Sequence, residues 1–584
     1  MALGATLAYQ PHFDYPYPLL GDEYNHISFG KYILEERALP FQNPYFATSS
    51  PVQNFESGFH ILLAFLFLLI PGDPVLWYKF LVIAAFALNT FLLFYLVFLW
   101  SRNYWTALFS VFFFGTIKSE VGFLSHQYFL PLTLGVTLLL FAFIFFHRWA
   151  NSRSRKSLFA LTGTLAALAL SYPPALFFFL GVMLVHALSM DHSLHEFFHL
   201  TKKRFFAYVL SGAVTISALF VAALSFFGLL SAIVFPPDWN VLQTHFSPIF
   251  FFGIIPSVFA AFGLVTVAIS KHLSSKVALH WFLFSLGMLL LFYIFDFNVL
   301  IPAPRLFVFY LIGVSVLAGI GVSASIYFFT RYVHGRFALS CAIAVLCIPF
   351  FVHYYIVFSK PLAFHRILTP EIYKALATLH NEHPERAVVI ADSFTSHAVY
   401  PVSGKYVVNL LNANIGGGNT EGARIFLEKD CRKRIEDVFD RLSYFTEEAG
   451  IPLFLLAKQQ EMCRSMLEPV YEGGVYLYRL YISTSRNPHA YEALAGNTLE
   501  GDDWIEFYDK DGSIRGKVKS TGEIYTGTWD LRSRPRTCAV YPDFSKSECK
   551  TISIRGKNTL FFELGGIPMP QRNSVIISGN PYTL

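Results

Sequence analysis

The chain has 584 residues, of which 54% are hydrophobic and only 14% charged, against about 25% charged in an ordinary globular domain. That balance excludes a wholly soluble protein, and 64 phenylalanines make its apolar surface aromatic as well as aliphatic. A formal charge of +5, scattered in short clusters between apolar runs, gives no case for nucleic acid and suggests membrane topology instead.

In chain order, Met1–Gln10 is too short to cross a bilayer, which takes about twenty residues, and it lacks the basic leader of a signal peptide. It can be read as the tail of a first helix that starts further upstream. A polar loop over 11–57 follows, holding the run Gly21-Asp22-Glu23-Tyr24-Asn25-His26. Gly58 to Ile70 is apolar but short, which suits a re-entrant or interfacial helix. Ten candidate spans come next, at 75–99, 104–117, 128–147, 157–171, 174–190, 205–231, 247–270, 277–295, 304–329 and 337–358.

The basic residues test this count independently. Arg102, the group Arg148 to Lys156, the group Lys202 to Arg204, Lys271 with Lys276, and Arg331 with Arg336 all fall in alternate loops. The opposite loops carry almost no Lys or Arg except Lys118 and Arg305. By the positive-inside rule the first set is cytoplasmic. The loop bearing Asp22 and everything after Lys360 are then expected on the outer face.

From about Pro361 the composition turns soluble. Thr369-Pro370-Glu371 opens a helix as cap, first turn and dipole partner, and Ala387 to Asp392 reads as a buried strand. With helices over 421–447 and strands at Pro452–Ala457 and Val475–Leu480, 361–481 reads as a small α/β domain. Residues 482–495 read as a linker. Over 496–584 short strands alternate with glycine turns, including Trp504–Tyr508, Ser513–Val518 and Ile524–Asp530 around Asp511-Gly512; this predicts a separate all-β barrel or sandwich. Cys538 with Cys549, and Cys431 with Cys463, are disulfide candidates if this side is oxidising.

The loops expected on the outer face carry Asp22 and Glu23, then Lys118 and Glu120, then Arg305, with His26, His60 and His126 at similar depth. Carboxylates facing cations at a membrane surface suit transfer from a lipid-linked phosphate donor. One carboxylate can deprotonate an acceptor hydroxyl, and Arg or Lys can neutralise the departing phosphate. Structural readings stand beside these. Asp22-Glu23 can cap the helix that follows, Lys118 and Glu120 can be a solvated pair, Arg305 can snorkel to the interface, and the histidines can be core residues.

The order of the acidic loop, Leu39-Pro40-Phe41-Gln42-Asn43-Pro44-Tyr45, Asn54-Phe55-Glu56-Ser57-Gly58-Phe59-His60 and many spans resembles the GT-C class of polytopic glycosyltransferases over residues 1–360. That class includes protein O-mannosyltransferases, aminoarabinose transferases and the catalytic subunit of oligosaccharyltransferase. The resemblance implies an essential base at Asp22 with Glu23 beside it, a second acid at Glu120, a phosphate-contacting cation at Arg305 and a polyprenyl-phosphate sugar donor. The lone Glu120, where an oligosaccharyltransferase has an acidic pair, departs from the pattern and leaves a divalent cation (Mg or Mn) open. Domain 361–481 is similar to outer-face domains of some bacterial members. The β module, with Gly496-Asn497-Thr498, Asp511 to Gly516, Tyr525 to Trp529 and Gly579-Asn580-Pro581, resembles small alphaproteobacterial outer-face domains.

The expectation is therefore a polytopic α-helical membrane glycosyltransferase of about ten or eleven spans in a bacterial inner membrane, with two small periplasmic domains. A sugar would pass from its lipid carrier to an envelope glycan, lipid or protein. Lys118, His26, His60 and His126 would assist substrate binding. The rival readings are a transporter or flippase of lipid-linked sugars, which needs ionisable groups within the spans, and a non-catalytic envelope-binding protein anchored by its helices.

Overall fold

The computed structural model describes residues 2–40, 43–46, 56–116, 128–189, 254–269, 273–295, 301, 303–332, 366–408, 410, 451–458, 467–480 and the strands between 497 and 577. The chain divides into two compact units, Met1–Phe41 with Val52–Arg366, and Gln42–Pro51 with Ile367–Leu584.

The first unit is helical: α1 (Ala2–Tyr9), α2 (Gly21–Glu36), α3 (Ser57–Leu69), a short α4 (Pro74–Trp77), α5 (Lys79–Ser101), α6 (Tyr104–Thr116), α7 (Pro131–Ser152), α8 (Arg155–Ser171), α9 (Pro173–Ser189), α10 (Ile254–Ile269), α11 (Leu273–Phe295) and α12 (Ala303–Tyr332). Helices α5 to α12 stand where eight of the ten expected spans were placed; those at 205–231 and 337–358 lie outside the described residues. Among the described residues, four stretches, Lys79–Ser101, Pro131–Ser152, Lys276–Ile294 and Arg305–Phe328, are long and apolar enough to cross a bilayer. Helix α3 is the short apolar element expected after the loop.

Helix α12 is the hub. Its apolar stretch is 89% buried within the protein, against 39 to 56% for the other three, so it is surrounded by protein and they are only partly covered. Small residues make that burial possible: a Cβ on Gly263 would overlap the Leu317 carbonyl, and one on Gly321 the Phe259 carbonyl. The backbones of α10 and α12 therefore meet directly, as glycine permits in membrane helix pairs. Elsewhere single polar contacts lock the packing. Thr137 donates to Asn89 Oδ1 at 2.7 Å between α7 and α5, and the Trp281 indole donates to the Phe309 carbonyl at 2.7 Å between α11 and α12.

In the second unit, α13 (Pro370–Glu382) begins where Thr369 accepts from the Ile372 N–H at 3.3 Å, and it buries Ile372, Ala375, Leu376 and Leu379 on one face. A five-stranded sheet follows in the order β2-β1-β3-β5-β4, where β1 is Val388–Ile390, β2 Tyr406–Val407, β3 Leu453–Ala457, β4 Leu467–Glu472 and β5 Tyr476–Leu480. β1 runs parallel to β2 and β3, and β5 antiparallel to β3 and β4. Helix α14 (Ser396–Ser403) joins β1 to β2. The helices expected over 421–447 lie outside the described residues.

Tyr45, from the early polar loop, belongs to this unit. It is fully buried, its carbonyl accepts from the Val407 N–H at 2.7 Å and its hydroxyl donates to the His397 carbonyl at 2.7 Å. The C-terminal strands β6 (Asn497–Glu500) to β13 (Ser574–Ile577) close into an eight-stranded barrel, so the all-β module is a barrel and not a sandwich. Closure leaves no free sheet edge.

Candidate active site

The site grows from the first turn of α2. The chain enters this helix from Leu20 in an extended conformation with no side-chain cap. Glu23 reaches back instead, and its Oε2 accepts from the Leu19 N–H at 2.9 Å. Its Oε1 accepts from the Phe129 N–H at 2.9 Å, and the Phe129 carbonyl takes the Tyr78 hydroxyl at 2.6 Å. One carboxylate thus ties the start of α2 to the segment entering α7 (Pro131–Ser152). Glu23 is 0% exposed. Burial pushes its carboxyl up to about 7, against the pull of the Phe129 and Leu19 amides.

Asp22 precedes it, half-buried, and adds to the upward shift of Glu23. Its field reaches Glu56 and Arg305. Glu56 stands at the start of α3, where its carbonyl accepts from the Phe59 and His60 amides at 3.0 and 3.2 Å. Burial pushes the Glu56 carboxyl up to about 7, the Arg305 guanidinium opposes that shift and Asp22 adds to it. Arg305, in the first turn of α12, interacts with Tyr172, Glu56 and Asp22. Its Nη1 is buried with no hydrogen-bond partner among the described residues. A buried donor left open in this way costs about 1–3 kcal/mol, so the site holds unspent binding capacity for an anionic or polar group.

Close packing brings these groups together. A Cβ on Gly58 would come 2.7 Å from Ser171 Oγ and 2.9 Å from the Leu170 carbonyl carbon. Only glycine lets α3 begin against the end of α8 (Arg155–Ser171), next to Tyr172. A Cβ on Gly135 would come 2.5 Å from the Tyr172 ring, so that ring lies in a notch of α7.

A second cluster flanks the acids. His26 lies one turn after Asp22, and its Nδ1 is 2.9 Å from His60 Nε2. Phe59 meets the His26 ring edge-on and Phe29 stacks on His60, with centroids 5.2 and 4.8 Å apart. Burial holds the His26 imidazole well below its ordinary pKa, helped by His60 and Arg305. His26, Glu56 and His60 each offer one donor atom, and these atoms lie within 4.8 Å of one another. Two neutral imidazoles and a carboxylate are a fitting donor set for a divalent transition metal.

Of the residues singled out in the sequence, the structure brings together Asp22, Arg305, His26 and His60. It sets Glu23 beside them in a buried clamp. Lys118, Glu120 and His126 lie outside the described residues, as do Cys431 and Cys463. Cys538 and Cys549 are direct register partners across β10 (Arg536–Tyr541) and β11 (Lys546–Ile554). Two members of the site had no assigned role in the sequence. Glu56 sat within the Asn54–His60 stretch, where its closeness to His60 was the available signal. Tyr172, between two apolar runs, carried none.

No family model and no curated protein matches the sequence, but solved structures do. An oligosaccharyltransferase from Archaeoglobus fulgidus, tethered to an acceptor peptide containing the NVT sequon, matches at TM-score 0.50 and 12% identity over 78% of this chain and 68% of that one. AglB of the same organism, in complex with an inhibitory peptide and a dolichol-phosphate, matches at 0.50 and 12% over 93% and 76%. ArnT from Cupriavidus metallidurans bound to undecaprenyl phosphate matches at 0.50 and 12% over 82% and 97%.

Proposed function

The chain is a membrane protein with the fold of the GT-C glycosyltransferases, and on that premise we propose that it moves a sugar from a polyprenyl-phosphate carrier to an envelope acceptor. The observation that carries this reading is the meeting of Asp22, Glu56 and Arg305 from three distant segments, with a buried guanidinium donor left open. The likeness to proteins solved with dolichol-phosphate or undecaprenyl phosphate supports the choice of donor.

Asp22 is the general base. It takes the proton of the acceptor hydroxyl as that oxygen bonds to the anomeric carbon. The bond from that carbon to the phosphate oxygen breaks, and the charge left on the lipid phosphate is met by Arg305. Glu23 touches neither reactant. It is a positioning residue that fixes the turn from which Asp22 projects. A divalent cation held at the site would supply further positive charge opposite the phosphate, and His26, Glu56 and His60 would hold it.

The reaction is assigned to the outer face of a bacterial inner membrane. The alternation of basic loops supports that orientation, and so does the direct pairing of Cys538 with Cys549, which suits a cross-strand disulfide in an oxidising compartment. Peptide mapping under non-reducing conditions should recover the two cysteines linked; free thiols there would remove that support. The decisive assay is sugar transfer by purified protein given a panel of polyprenyl-phosphate sugars. Wild-type protein should transfer from at least one donor and Asp22→Asn from none. Transfer by the variant at the wild-type rate would sink the assignment of Asp22.

A further inference from the structure

We infer that His26, Glu56 and His60 form a site for a transition metal of the zinc class, and that this ion, not magnesium, completes the charge of the donor pocket. The inference rests on the transfer reading for its purpose but not for its existence.

Two of the three donors are imidazole nitrogens. Magnesium takes oxygen ligands in near-ideal octahedra and keeps much of its water, whereas imidazole suits zinc, copper, iron and nickel. The ligands are also preset. The His26 and His60 rings stand 2.9 Å apart, nitrogen to nitrogen, and all three donors fall within 4.8 Å. A tetrahedral ion with bonds of about 2.0–2.1 Å needs its donors roughly 3.3 Å apart. The histidine pair, at 2.9 Å, is slightly inside that spacing, and Glu56 offers its carboxylate oxygen within 4.8 Å of both rings, so binding an ion calls for a small adjustment of the three side chains. Phe59 packs edge-on against His26 and Phe29 stacks on His60, which restrains both rings. Three protein ligands leave a fourth position for an oxygen from water or substrate, as in sites where a metal acts on a ligand.

Charge gives the site a purpose. With Asp22 and Glu56 ionised and Arg305 cationic, the pocket carries a net −1, which repels a phosphate-linked donor. A divalent ion bound by two neutral imidazoles and one carboxylate turns that into +1. Asp22 remains beside Arg305 as its counter-charge, and Glu56 passes to the metal. The His186–His280 pair, 2.9 Å apart, offers a control, because no third donor completes it among the described residues.

The test uses the full chain purified in detergent, freed of any affinity tag and stripped with a chelator. Zinc, manganese and magnesium are each added alone, and retained metal is measured by mass spectrometry after desalting, together with the thermal midpoint. About one zinc per chain should be retained with a higher midpoint, while equimolar magnesium leaves the midpoint where it was. His26→Gln and His60→Gln should each weaken zinc retention at least tenfold, and His186→Gln should not change it. Cobalt in place of zinc should give the intense visible bands of a low-coordinate site, lost in His26→Gln. Should either variant misfold, Glu56→Gln serves as the third arm. Equal zinc retention by wild type and all ligand variants, or a midpoint that rises as much with magnesium, would overturn the inference. Metal retention is measured without a donor sugar, so retained zinc together with failure of the separate transfer assay would count against the transferase reading alone.

Discussion

Among the described residues, two helix starts carry acidic first turns and treat them in opposite ways. At α13 the cap is Thr369 and the first-turn acid is Glu371. That carboxylate is fully exposed and held below its ordinary range by a backbone amide and the Thr369 hydroxyl. At α2 no side chain caps the helix from Leu20, and the first turn holds Asp22 and Glu23. Glu23 is driven the other way, up to about 7, because burial outweighs its backbone hydrogen bonds. The same sequence signal, an acid in a first helical turn, therefore marks ordinary dipole compensation in one place and a stressed, packed carboxyl in the other. Burial decides the difference, and burial belongs to the neighbours and not to the helix.

The strongest way to break this comparison is Asp22→Asn. It should lower sugar transfer by about a hundred- to ten-thousand-fold and leave the thermal midpoint unchanged; a collapse of the fold would instead make Asp22 structural like Glu23. Arg305→Met should cost about a hundred- to a thousandfold in transfer, the usual penalty for losing one donor aimed at developing charge. Arg305→Lys should recover only part of that, since a lysine lacks the planar fork. If Lys restored full activity, a point charge would suffice and the open Nη1 would carry no weight.

Glu23→Ala acts on stability instead. It leaves the Leu19 and Phe129 amides buried without an acceptor, at about 1–3 kcal/mol each, and the thermal midpoint in detergent should fall accordingly. Glu23 also sets a pH dependence. Its carboxyl titrates at 4.5 by default and at about 7 in the fold, so between those values the native state keeps a proton that the unfolded chain has released. Its stabilising contribution is full below 4.5 and is lost as the pH rises through about 7, on the order of 3 kcal/mol. Glu23→Gln should flatten that slope. A wild-type midpoint that rises from about pH 5 to pH 7 would contradict the burial account. At the other helix, Thr369→Ala should cost about 1 kcal/mol through the lost cap, and Glu371→Gln should leave the midpoint nearly unchanged. Neither should show the pH slope of Glu23.

Much of this was readable in advance because it depends on local pattern. Apolar run length placed α5 to α12, Thr369-Pro370-Glu371 placed the start of α13, and strands at Trp504–Tyr508, Ser513–Val518 and Ile524–Asp530 stand where alternation and glycine turns put them. Asp22 and Arg305 stood out as charges next to apolar runs, because a charge there is costly to keep. Glu56 and Tyr172 did not stand out. Their importance comes from Gly58 lying against Leu170 and Ser171, a contact between segments more than a hundred residues apart that no window of sequence contains.

The linear chain thus determined the class of molecule: its membrane character, its alternation of basic loops and the acidic turn at Asp22, all set by composition and short-range periodicity. Only the tertiary structure decided which of the two adjacent acids faces charge and which is clamped. It also decided that Arg305 meets Asp22 and Glu56, and that His26 and His60 stand 2.9 Å apart. The physical reason is that solvation and Coulomb energy depend on distance in space, and helix packing across glycine contacts sets those distances.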